Sequence, residues 1–260
     1  MRILVCVKQV LSKEGPLEID PSGRSLIAGP SPPLYQLNGF DEYALEAALQ
    51  VKEKFPETFV DVLAVGPTRI DTVIRRGLGM GADQGVHLLT DEEAAPDPFQ
   101  VSSWIAAWSK DRPYDLIATG FLAEDDQEGQ VGPLVAEHLG LPCSTSVVAL
   151  HLFPDERQAL IEREVEGGLR ERWRMKLPAV LTVQSGINRP RYPILSHVLR
   201  ARKQTLERIP VSSFGAVERR RTVVRYGYPE KVRAGITLPG NSREKAEHLA
   251  ALFLEKGFLT

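Results

Sequence analysis

Cysteine is scarce in this sequence, since the 260 residues contain only Cys6 and Cys143. Two distant cysteines cannot build a dense disulfide framework, so a disulfide-stabilised secreted scaffold is excluded and a reduced, cytoplasmic chain is expected. Long apolar runs are also missing, because no stretch approaches the roughly 18 residues that a membrane-spanning helix needs. The first ten residues carry charges at Arg2 and Lys8 and contain no cleavage site. We therefore expect no signal peptide and no membrane insertion.

Net charge is nearly absent as well. The 32 Lys and Arg residues against 34 Asp and Glu residues give a formal charge of −2, which argues against a protein that holds nucleic acid by bulk electrostatics. The sequence is otherwise typical of a globular protein, with 43% apolar and 25% charged residues. One or two domains are expected at this length, with a core large enough to need no disulfide or metal.

The common motifs of hydrolases and metalloproteins are absent. The sequence lacks G-x-x-x-x-G-K-[ST], H-E-x-x-H, C-x-x-C and G-x-S-x-G. The usual motifs therefore do not indicate a phosphate-loop hydrolase, a zincin or a serine hydrolase. The five histidines lack the spacing typical of ligands, and no metal site is expected. No general acid, base or nucleophile stands out, which favours a role other than that of an enzyme.

One glycine-rich segment imitates a dinucleotide-binding motif. Gly77, Gly79 and Ala82 fit G-x-G-x-x-A, but that fingerprint must follow a strand and open a helix so that phosphate meets helix amides. Here a predicted helix (70–78) ends at the glycines and a predicted strand (85–89) follows. The glycines are therefore expected to end a helix and turn the chain.

Strand and helix patterns alternate through the first half of the chain. A nearly continuous apolar run at 3–7 is typical of a parallel strand covered on both faces. Helical spacing follows at 40–54, where Asp41 and Glu42 suit the positive end of a helix. The alternation predicts an α/β fold, with a doubly wound, mostly parallel sheet of the adenine-nucleotide-binding Rossmann-like type. Further strands are expected at 59–65, 85–89 and 114–120, and further helices at 70–78, 97–110 and about 129–139.

After Leu141 the pattern changes to antiparallel strands. One is expected at 145–152, and a hairpin at 159–176 is expected to turn at a Gly-Gly pair. A buried strand at 178–183 follows the hairpin.

The strand and helix patterns weaken near the end of the chain, which predicts that the chain divides into two parts. Residues 1–208 are expected to form the nucleotide-binding α/β domain, which includes the hairpin and a partner loop at 185–195. Residues 209–260 are expected to form a C-terminal arm with a final helix at 243–255. So long a segment without its own core usually packs on something else.

The loop at 120–133 leaves the carboxyl end of a buried strand and opens a helix, the position at which ligands bind in open α/β sheets. Main-chain amides from Gly129 to Gly132 are predicted to hold a phosphate at the positive helix start. The carboxylates of Asp125 and Asp126 would repel a phosphate, so we expect them to accept hydrogen bonds from ribose hydroxyls or to cap the helix. A plain helix cap in a solvated acidic loop explains the segment equally well.

Three other segments are expected beside this loop because they end strands or begin helices. They are the end of the first strand at 6–8, the turn at 38–41 and the strand end at 65–67. Each is weak evidence alone, since Asn-Gly and Gly-Pro are common turn sequences.

Taken together, these segments resemble the β subunit of electron transfer flavoprotein, and the resemblance runs over most of the chain. The shared pieces are the first strand ending in Val7-Lys8, N-G-F-D-E at 38–42, G-A-D-Q-G-V-H at 81–87 and the Q-V-G-P end of the 120–133 loop. The most specific pieces are I-E-R-E-V-E-G-G at 161–168, L-P-A-V-L-T at 177–182 and N-R-P-R-Y at 188–192.

The resemblance implies one subunit of a heterodimeric electron carrier that performs no substrate chemistry of its own. It would accept electrons from flavin dehydrogenases, pass them to a downstream acceptor and share FAD with an α subunit. It would also bind AMP, or a second FAD as in electron-bifurcating members. The residues implied to line the nucleotide are Cys6, Asn38, Phe40, Asp41, Val65, Gly66, Ala123, Asp125, Asp126, Gln127, Gly129, Gln130, Val131 and Gly132.

The resemblance also implies two contact surfaces. Ile187 would be the apolar anchor offered to partner dehydrogenases, and the C-terminal arm would wrap the α subunit. The rest of the docking loop comprises Asn188, Arg189, Pro190, Arg191 and Tyr192. Arg189 replaces the glutamate of the family's N-E-P-R-Y loop and reverses its charge, which indicates an atypical dehydrogenase.

Two other functions share this superfold. An ATP-using adenylating enzyme would need a Ser/Gly-rich turn directly after the first strand, and residues 6–10 lack one. A nucleotide-binding regulatory module would be shorter and would not explain the segment at 160–200. The Q-V-G-P end of the loop is more similar to FAD-binding and bacterial members than to AMP-only ones, and the sequence leaves the nucleotide open.

Overall fold

A nine-stranded sheet organises the fold. The computed structural model describes residues 1–12, 17–24, 26–28, 34–91, 96–229 and 235–259. In chain order its elements are β1 (Arg2–Cys6), β2 (Gln9–Leu11), β3 (Leu17–Ile19), β4 (Leu26–Ala28), β5 (Tyr35–Leu37), α1 (Gly39–Lys54), β6 (Phe59–Gly66), α2 (Asp71–Met80), β7 (Gln84–Leu89), α3 (Pro98–Ser109), β8 (Leu116–Gly120), α4 (Val131–Leu139), β9 (Cys143–Phe153), β10 (Gln158–Glu164), β11 (Arg170–Lys176), β12 (Ala179–Val183), α5 (Leu195–Lys203), β13 (Glu207–Pro210) and α6 (Ser242–Glu255).

The strand order of the large sheet is β11-β10-β9-β12-β8-β1-β6-β7-β13. From β9 to β13 in that order all neighbours pair in parallel, whereas β10 and β11 add antiparallel strands at one edge. The chain runs outward from β1 through β6 to β7 and then crosses to β8 on the other side of β1. The reversal creates a topological switch point between β1 and β8. The predicted doubly wound, mostly parallel α/β fold is therefore confirmed.

Helices cover both faces of the central strands, which explains the nearly continuous apolar run of β1. Ile3 and Val5 belong to the apolar cluster that α1 and α2 cover, and Leu4 belongs to the cluster that α3 and α4 cover. The helices contribute, among others, Leu45, Ile74, Trp104 and Val135 to these clusters.

The glycines that imitate a dinucleotide motif lie at the end of a helix, as the sequence predicts. Gly77 and Gly79 fall in the last turns of α2, Gly81 follows with a φ of 135°, and β7 begins after it. A Cβ at Gly77 would lie 3.0 Å from the Val62 side chain, so glycine allows α2 to pack closely on β6.

The predicted antiparallel hairpin is present as β10 and β11. Their register runs from Gln158 opposite Lys176 to Glu164 opposite Arg170. The turn places Gly167 and Gly168 at φ values of 77° and 71°, a region that residues with a Cβ rarely adopt.

Two elements after residue 190 have no counterpart in the sequence prediction. They are α5 and β13, and β13 extends the main sheet by pairing in parallel with β7. Arg75 of α2 donates to the carbonyl oxygens of Ala201, Arg202 and Gln204. These hydrogen bonds give partners to carbonyl groups at the end of α5, and they come from a distant part of the chain. The segment between β1 and α1 also contains the small antiparallel pairs β2–β5 and β3–β4, while 13–16, 25 and 29–33 lie outside the described residues.

The segment expected to be an arm has two different parts. Its first residues, 209 and 210, belong to β13, and residues up to Val217 pack on the α3 side of the sheet. Its last helix, α6, matches the predicted bounds closely, and every residue of it except Leu252 is exposed. None of the described helices is both long and apolar enough to cross a membrane.

Candidate functional site

The carboxyl ends of β1 and β8 meet at the switch point, where Asp41 joins them. Its Oδ2 accepts a hydrogen bond from the Lys8 amide at 2.7 Å, and its Oδ1 accepts one from the Gly120 amide at 2.9 Å. A Cβ at Gly120 would lie 2.4 Å from Asp41 Oδ1, so only glycine allows this approach. The first turn of α1 thereby fixes the spacing between the two strand ends.

Asp41 is buried, and this burial raises its pKa to about 7 against the opposing effect of hydrogen bonds from Lys8, Asn38 and Gly120. Because both carboxylate oxygens accept backbone amides, the side chain positions the strand ends. Its predicted contact with a nucleotide stays a prediction.

Asn38 ties the loop after β8 to the start of α1. The side chain is 1% exposed, its Nδ2 donates to the Leu122 carbonyl at 2.9 Å, and its Oδ1 accepts from the Glu124 amide at 3.1 Å. The Asn38 carbonyl also accepts from the amides of Asp41 and Glu42, which begins α1. The Asn-Gly turn therefore connects the end of the first strand, through the Asn38 amide that donates to the Lys8 carbonyl at 3.0 Å, with the loop after β8.

Lys8 holds the acidic part of the loop. Its Nζ lies 2.7 Å from Asp125 Oδ1 and 2.7 Å from Asp126 Oδ2. Burial lowers the pKa of Lys8, but the two carboxylates outweigh that effect and raise it above its ordinary value. The carboxylates expected to meet ribose hydroxyls or to cap the helix thus pair with Lys8. No local pattern indicates this partner, because 117 residues separate Lys8 from Asp125.

The start of α4 combines a first turn that has no side-chain cap from Gln130 with close packing on the sheet. Gln130 precedes the helix, and its side chain accepts no capping hydrogen bond from the described residues of the first turn. A Cβ at Gly132 would lie 2.5 Å from Thr182 Cγ2 and 2.8 Å from Thr119 Oγ1. The glycine brings the helix start against β8 and β12, and the first-turn amides there form a positive helix end.

The backbone before α4 is turned sharply. Gln127 and Gly129 have φ values of 55° and 61°, and a Cβ at Gly129 would lie 3.0 Å from the Phe121 carbonyl oxygen. The remaining predicted residues of this loop, Ala123 and Val131, are half-buried. The whole predicted stretch from Ala123 to Gly132 thus lies at the switch point.

The other residues predicted to line the nucleotide lie in β1, α1 and β6 around the switch point. Cys6 is buried in the apolar cluster under α3 and α4, and burial raises the pKa of its thiol. Phe40 and Val65 are half-buried. The Gly66 carbonyl accepts hydrogen bonds from the Thr90 amide at 3.0 Å and from His87 Nε2 at 2.9 Å.

His87 of β7 is fully buried. Its Nδ1 lies 2.8 Å from Asp71 Oδ1, and Asp71 also pairs with Arg208 of β13. This chain of contacts links the end of β6 to the edge strand β13. In the sequence, His87 stands within a predicted apolar strand and ends the shared G-A-D-Q-G-V-H piece at 81–87.

The 185–195 loop is fixed to α1 by two of its predicted docking residues. Asn188 donates to the Tyr43 carbonyl at 3.0 Å, and Arg191 pairs with Glu46 at 2.7 Å and with Glu53 at 2.6 Å. The hydrogen bonds that Arg191 donates to these carboxylates raise its pKa above the ordinary range.

The residues that this loop exposes do not include Ile187, which was expected to be its apolar anchor. Ile187 is half-buried and packs against the main apolar cluster, and Pro190 is also half-buried. Arg189 is exposed and Tyr192 is 87% exposed. The neighbouring exposed apolar side chains are Ile194, Leu195 and Leu199.

The fold and this edge of the sheet define a doubly wound α/β protein of the Rossmann-like type. The chain matches the electron transfer flavoprotein domain family over residues 33–213. It is 36% identical to the electron transfer flavoprotein subunit beta of Bacillus subtilis (strain 168) over 222 residues, which cover 83% of this chain and 84% of that protein. It is 32% identical to the subunit of the same name from Methylophilus methylotrophus, over 98% of each chain. For the Homo sapiens subunit the identity is 31%, over 99% of this chain and 98% of that protein. The chain belongs to the electron transfer flavoprotein β-subunit family.

Proposed function

We propose that this chain is the β subunit of a heterodimeric electron transfer flavoprotein. It accepts electrons from flavin dehydrogenases and passes them to a downstream acceptor, shares FAD with an α subunit and holds AMP or a second FAD at its own switch point. The observation that carries the proposal is the similarity to β subunits over almost the whole chain. When bound, a flavin supplies the redox chemistry, and the protein supplies binding, orientation and electrostatics.

The donors at the switch point fit the phosphate of an adenine nucleotide. The amides from Gly129 to Gly132 would hold it, because an uncapped helix start attracts anions. Lys8 offsets the charges of Asp125 and Asp126, which reduces their repulsion toward a phosphate. These contacts concern binding only, and they require no proton transfer or covalent step.

Exposed area supports a partner subunit. The chain exposes 15614 Å², whereas a compact monomer of this mass exposes roughly 11,000 Å². The excess is of the order that large obligate interfaces bury. Part of it lies on and after α6, where Leu249, Phe253, Leu254 and Phe258 are exposed. We infer that this distal part of the arm packs on the α subunit.

The docking surface for dehydrogenases would extend from the 185–195 loop onto α5. Tyr192, Ile194, Leu195 and Leu199 expose apolar area, and the basic residues Arg200, Arg202 and Lys203 occupy the end of the same helix. Ile187 would support this surface from its half-buried position. An apolar centre with a basic border fits a partner surface that has an apolar pocket and acidic neighbours.

The proposal is tested by coexpressing the chain with its α subunit and identifying the nucleotides that the purified complex releases on denaturation. One FAD and one AMP per heterodimer would support a carrier with a single flavin. Two FAD would support the bifurcating type, for which we propose the 120–133 loop as the site of the second flavin. A complex without a second nucleotide would contradict the proposed site, and failure to form any complex would contradict the role as a β subunit.

A further inference from the structure

The 120–133 loop carries more negative charge than the single charge of Lys8 can offset. Glu124, Asp125, Asp126 and Glu128 lie within a short segment directly before the α4 amides. Lys8 pairs with the two aspartates, and Gln36 Nε2 lies 3.3 Å from Glu124 Oε2. Glu128 is the acidic residue nearest in sequence to Gly129, so its charge matters most for a phosphate at the helix start.

The partner of Glu128 comes from the beginning of the C-terminal arm. The guanidinium of Arg221 lies directly against the Glu128 carboxylate, and the two side chains are 39% and 19% exposed. Partial burial of both groups strengthens the pair relative to one in open solvent.

Backbone contacts fix this stretch of the arm on both sides of the ion pair. Asp97 Oδ2 accepts hydrogen bonds from the amides of Arg220 and Arg221 at 2.5 and 2.8 Å. Further along, the Tyr226 amide donates to the Gly23 carbonyl at 2.7 Å. Burial alone would raise the pKa of Asp97, but its backbone hydrogen bonds hold it below the ordinary value. The chain backbone, and not only a flexible side chain, therefore places Arg221 beside the loop.

The neighbouring arginine faces elsewhere. The Arg220 guanidinium lies 4.6 Å from the centre of the Phe99 ring, on the α3 side of the arm. The two consecutive arginines thus differ in their partner but not in their charge, which makes Arg220 a matched control for Arg221.

We propose that Arg221 is a positioning residue for the nucleotide phosphate, an inference that rests on the proposed phosphate site at α4. Arg221 neutralises Glu128 and holds its carboxylate away from the first-turn amides. Without Arg221, an unpaired carboxylate beside a helix start would interact with those amides and compete with the phosphate. The same arm continues to α6, so the segment proposed to bind the α subunit also sets the charge at the nucleotide site.

The experiment uses the heterodimer freed of its exchangeable nucleotide and titrated by calorimetry with AMP and, separately, with FAD. For the ligand that binds the wild-type complex, Arg221→Gln should weaken binding by about tenfold, within the range typical of coupling between sites. Adding Glu128→Gln to this variant should restore affinity to within about twofold of the wild type, because the competing charge is gone. Arg221→Lys should retain most of the affinity, and Arg220→Gln should leave it unchanged.

Thermal unfolding of each complex separates this role from general damage to the fold. Rescue by Glu128→Gln without recovery of the melting temperature would support the charge argument. Unchanged affinity in Arg221→Gln would overturn the inference, and so would a double variant as weak as the single one. A wild-type complex that binds neither AMP nor FAD would overturn the phosphate site itself and this inference with it.

Discussion

Arg191 and Glu46 form a two-bonded ion pair between the 185–195 loop and helix α1. Nε and Nη2 of the guanidinium lie 2.7 and 2.9 Å from the two carboxylate oxygens. The Arg191 amide donates to the same carboxylate at 3.2 Å. Because Glu46 is 3% exposed, Arg191 replaces solvent as the main partner of its two carboxylate oxygens. The loop proposed to meet dehydrogenases is therefore held by a buried group of the α/β domain.

Arg191→Gln is expected to lower the free energy of unfolding by about 3 kcal/mol, because it leaves a buried carboxylate unpaired. Electron transfer from the partner dehydrogenase should also slow, since the loop loses its main attachment, while nucleotide content stays normal. Urea unfolding and stopped-flow transfer measurements check the two effects.

A matched double variant tests the cause of the lost stability. Combining Arg191→Gln with Glu46→Gln removes the unpaired charge, so the double variant should be more stable than Arg191→Gln alone. Exposed Arg189→Gln serves as the control and should change stability by less than about 0.5 kcal/mol. Equal stability of Arg191→Gln and the wild type would contradict the structural role of the pair.

Variants of Leu195 and Ile187 distinguish a side chain that contacts the dehydrogenase from one that supports the docking surface from inside the protein. Leu195 is 73% exposed, so Leu195→Ala should slow transfer to or from the dehydrogenase while stability changes by less than about 0.5 kcal/mol. Ile187 packs against the main apolar cluster, so Ile187→Ala should slow transfer and also cost about 1–2 kcal/mol of stability. Flavin content should stay normal in both. Normal transfer rates in both variants would remove this surface from the docking proposal.

Local patterns predict the central sheet but not the contacts that complete the site. The run from Ile3 to Val5 indicates a buried parallel strand because both faces are covered within the same domain. Lys8 gives no such local signal, since its partners in the acidic loop are far along the chain. Strand β13 was missed because it depends on pairing with β7, and α5 because Arg75 completes its end.

The same limit applies to side-chain roles at the switch point. Asp41 was correctly placed at a helix start near the loop, but a sequence pattern cannot show that both its oxygens accept backbone amides. For the docking loop, the N-R-P-R-Y pattern predicts an interaction segment without showing that Arg191 faces inward and Tyr192 outward. Burial, and not residue type, decides which of these side chains is free to meet a partner.

Gly132 offers a test of the phosphate position. A Cβ there would lie 2.5 Å from Thr182 Cγ2, so Gly132→Ala should push the start of α4 away from β8 and weaken nucleotide binding. Gly132→Asp adds a negative charge at the same place and should release the nucleotide completely. Gly227→Ala is the control, since no atom of the described residues lies within 4 Å of the new methyl group. Nucleotide retained at full stoichiometry in Gly132→Asp would disprove the proposed position.

Asp41 should give the folded protein a recognisable pH dependence. Burial raises its pKa from 3.8 to about 7, so the folded state keeps a proton that the unfolded chain releases. Between about pH 4 and pH 7 its contribution to the free energy of unfolding should fall by up to about 1.4 kcal/mol per pH unit. Below this window the side chain is protonated in both states and contributes nothing, and above it the loss is complete.

Asp41→Asn isolates this contribution because the amide side chain does not titrate. Urea unfolding of both proteins from pH 4 to pH 8 should show a stability difference that shifts in favour of the variant as the pH rises, and then levels off above about pH 7. The variant should also lose a constant amount of stability, because its single side-chain oxygen cannot replace both acceptors for the Lys8 and Gly120 amides. Parallel profiles across the whole range would show that the Asp41 carboxyl titrates alike in the folded and unfolded states, and that the two backbone amides outweigh burial.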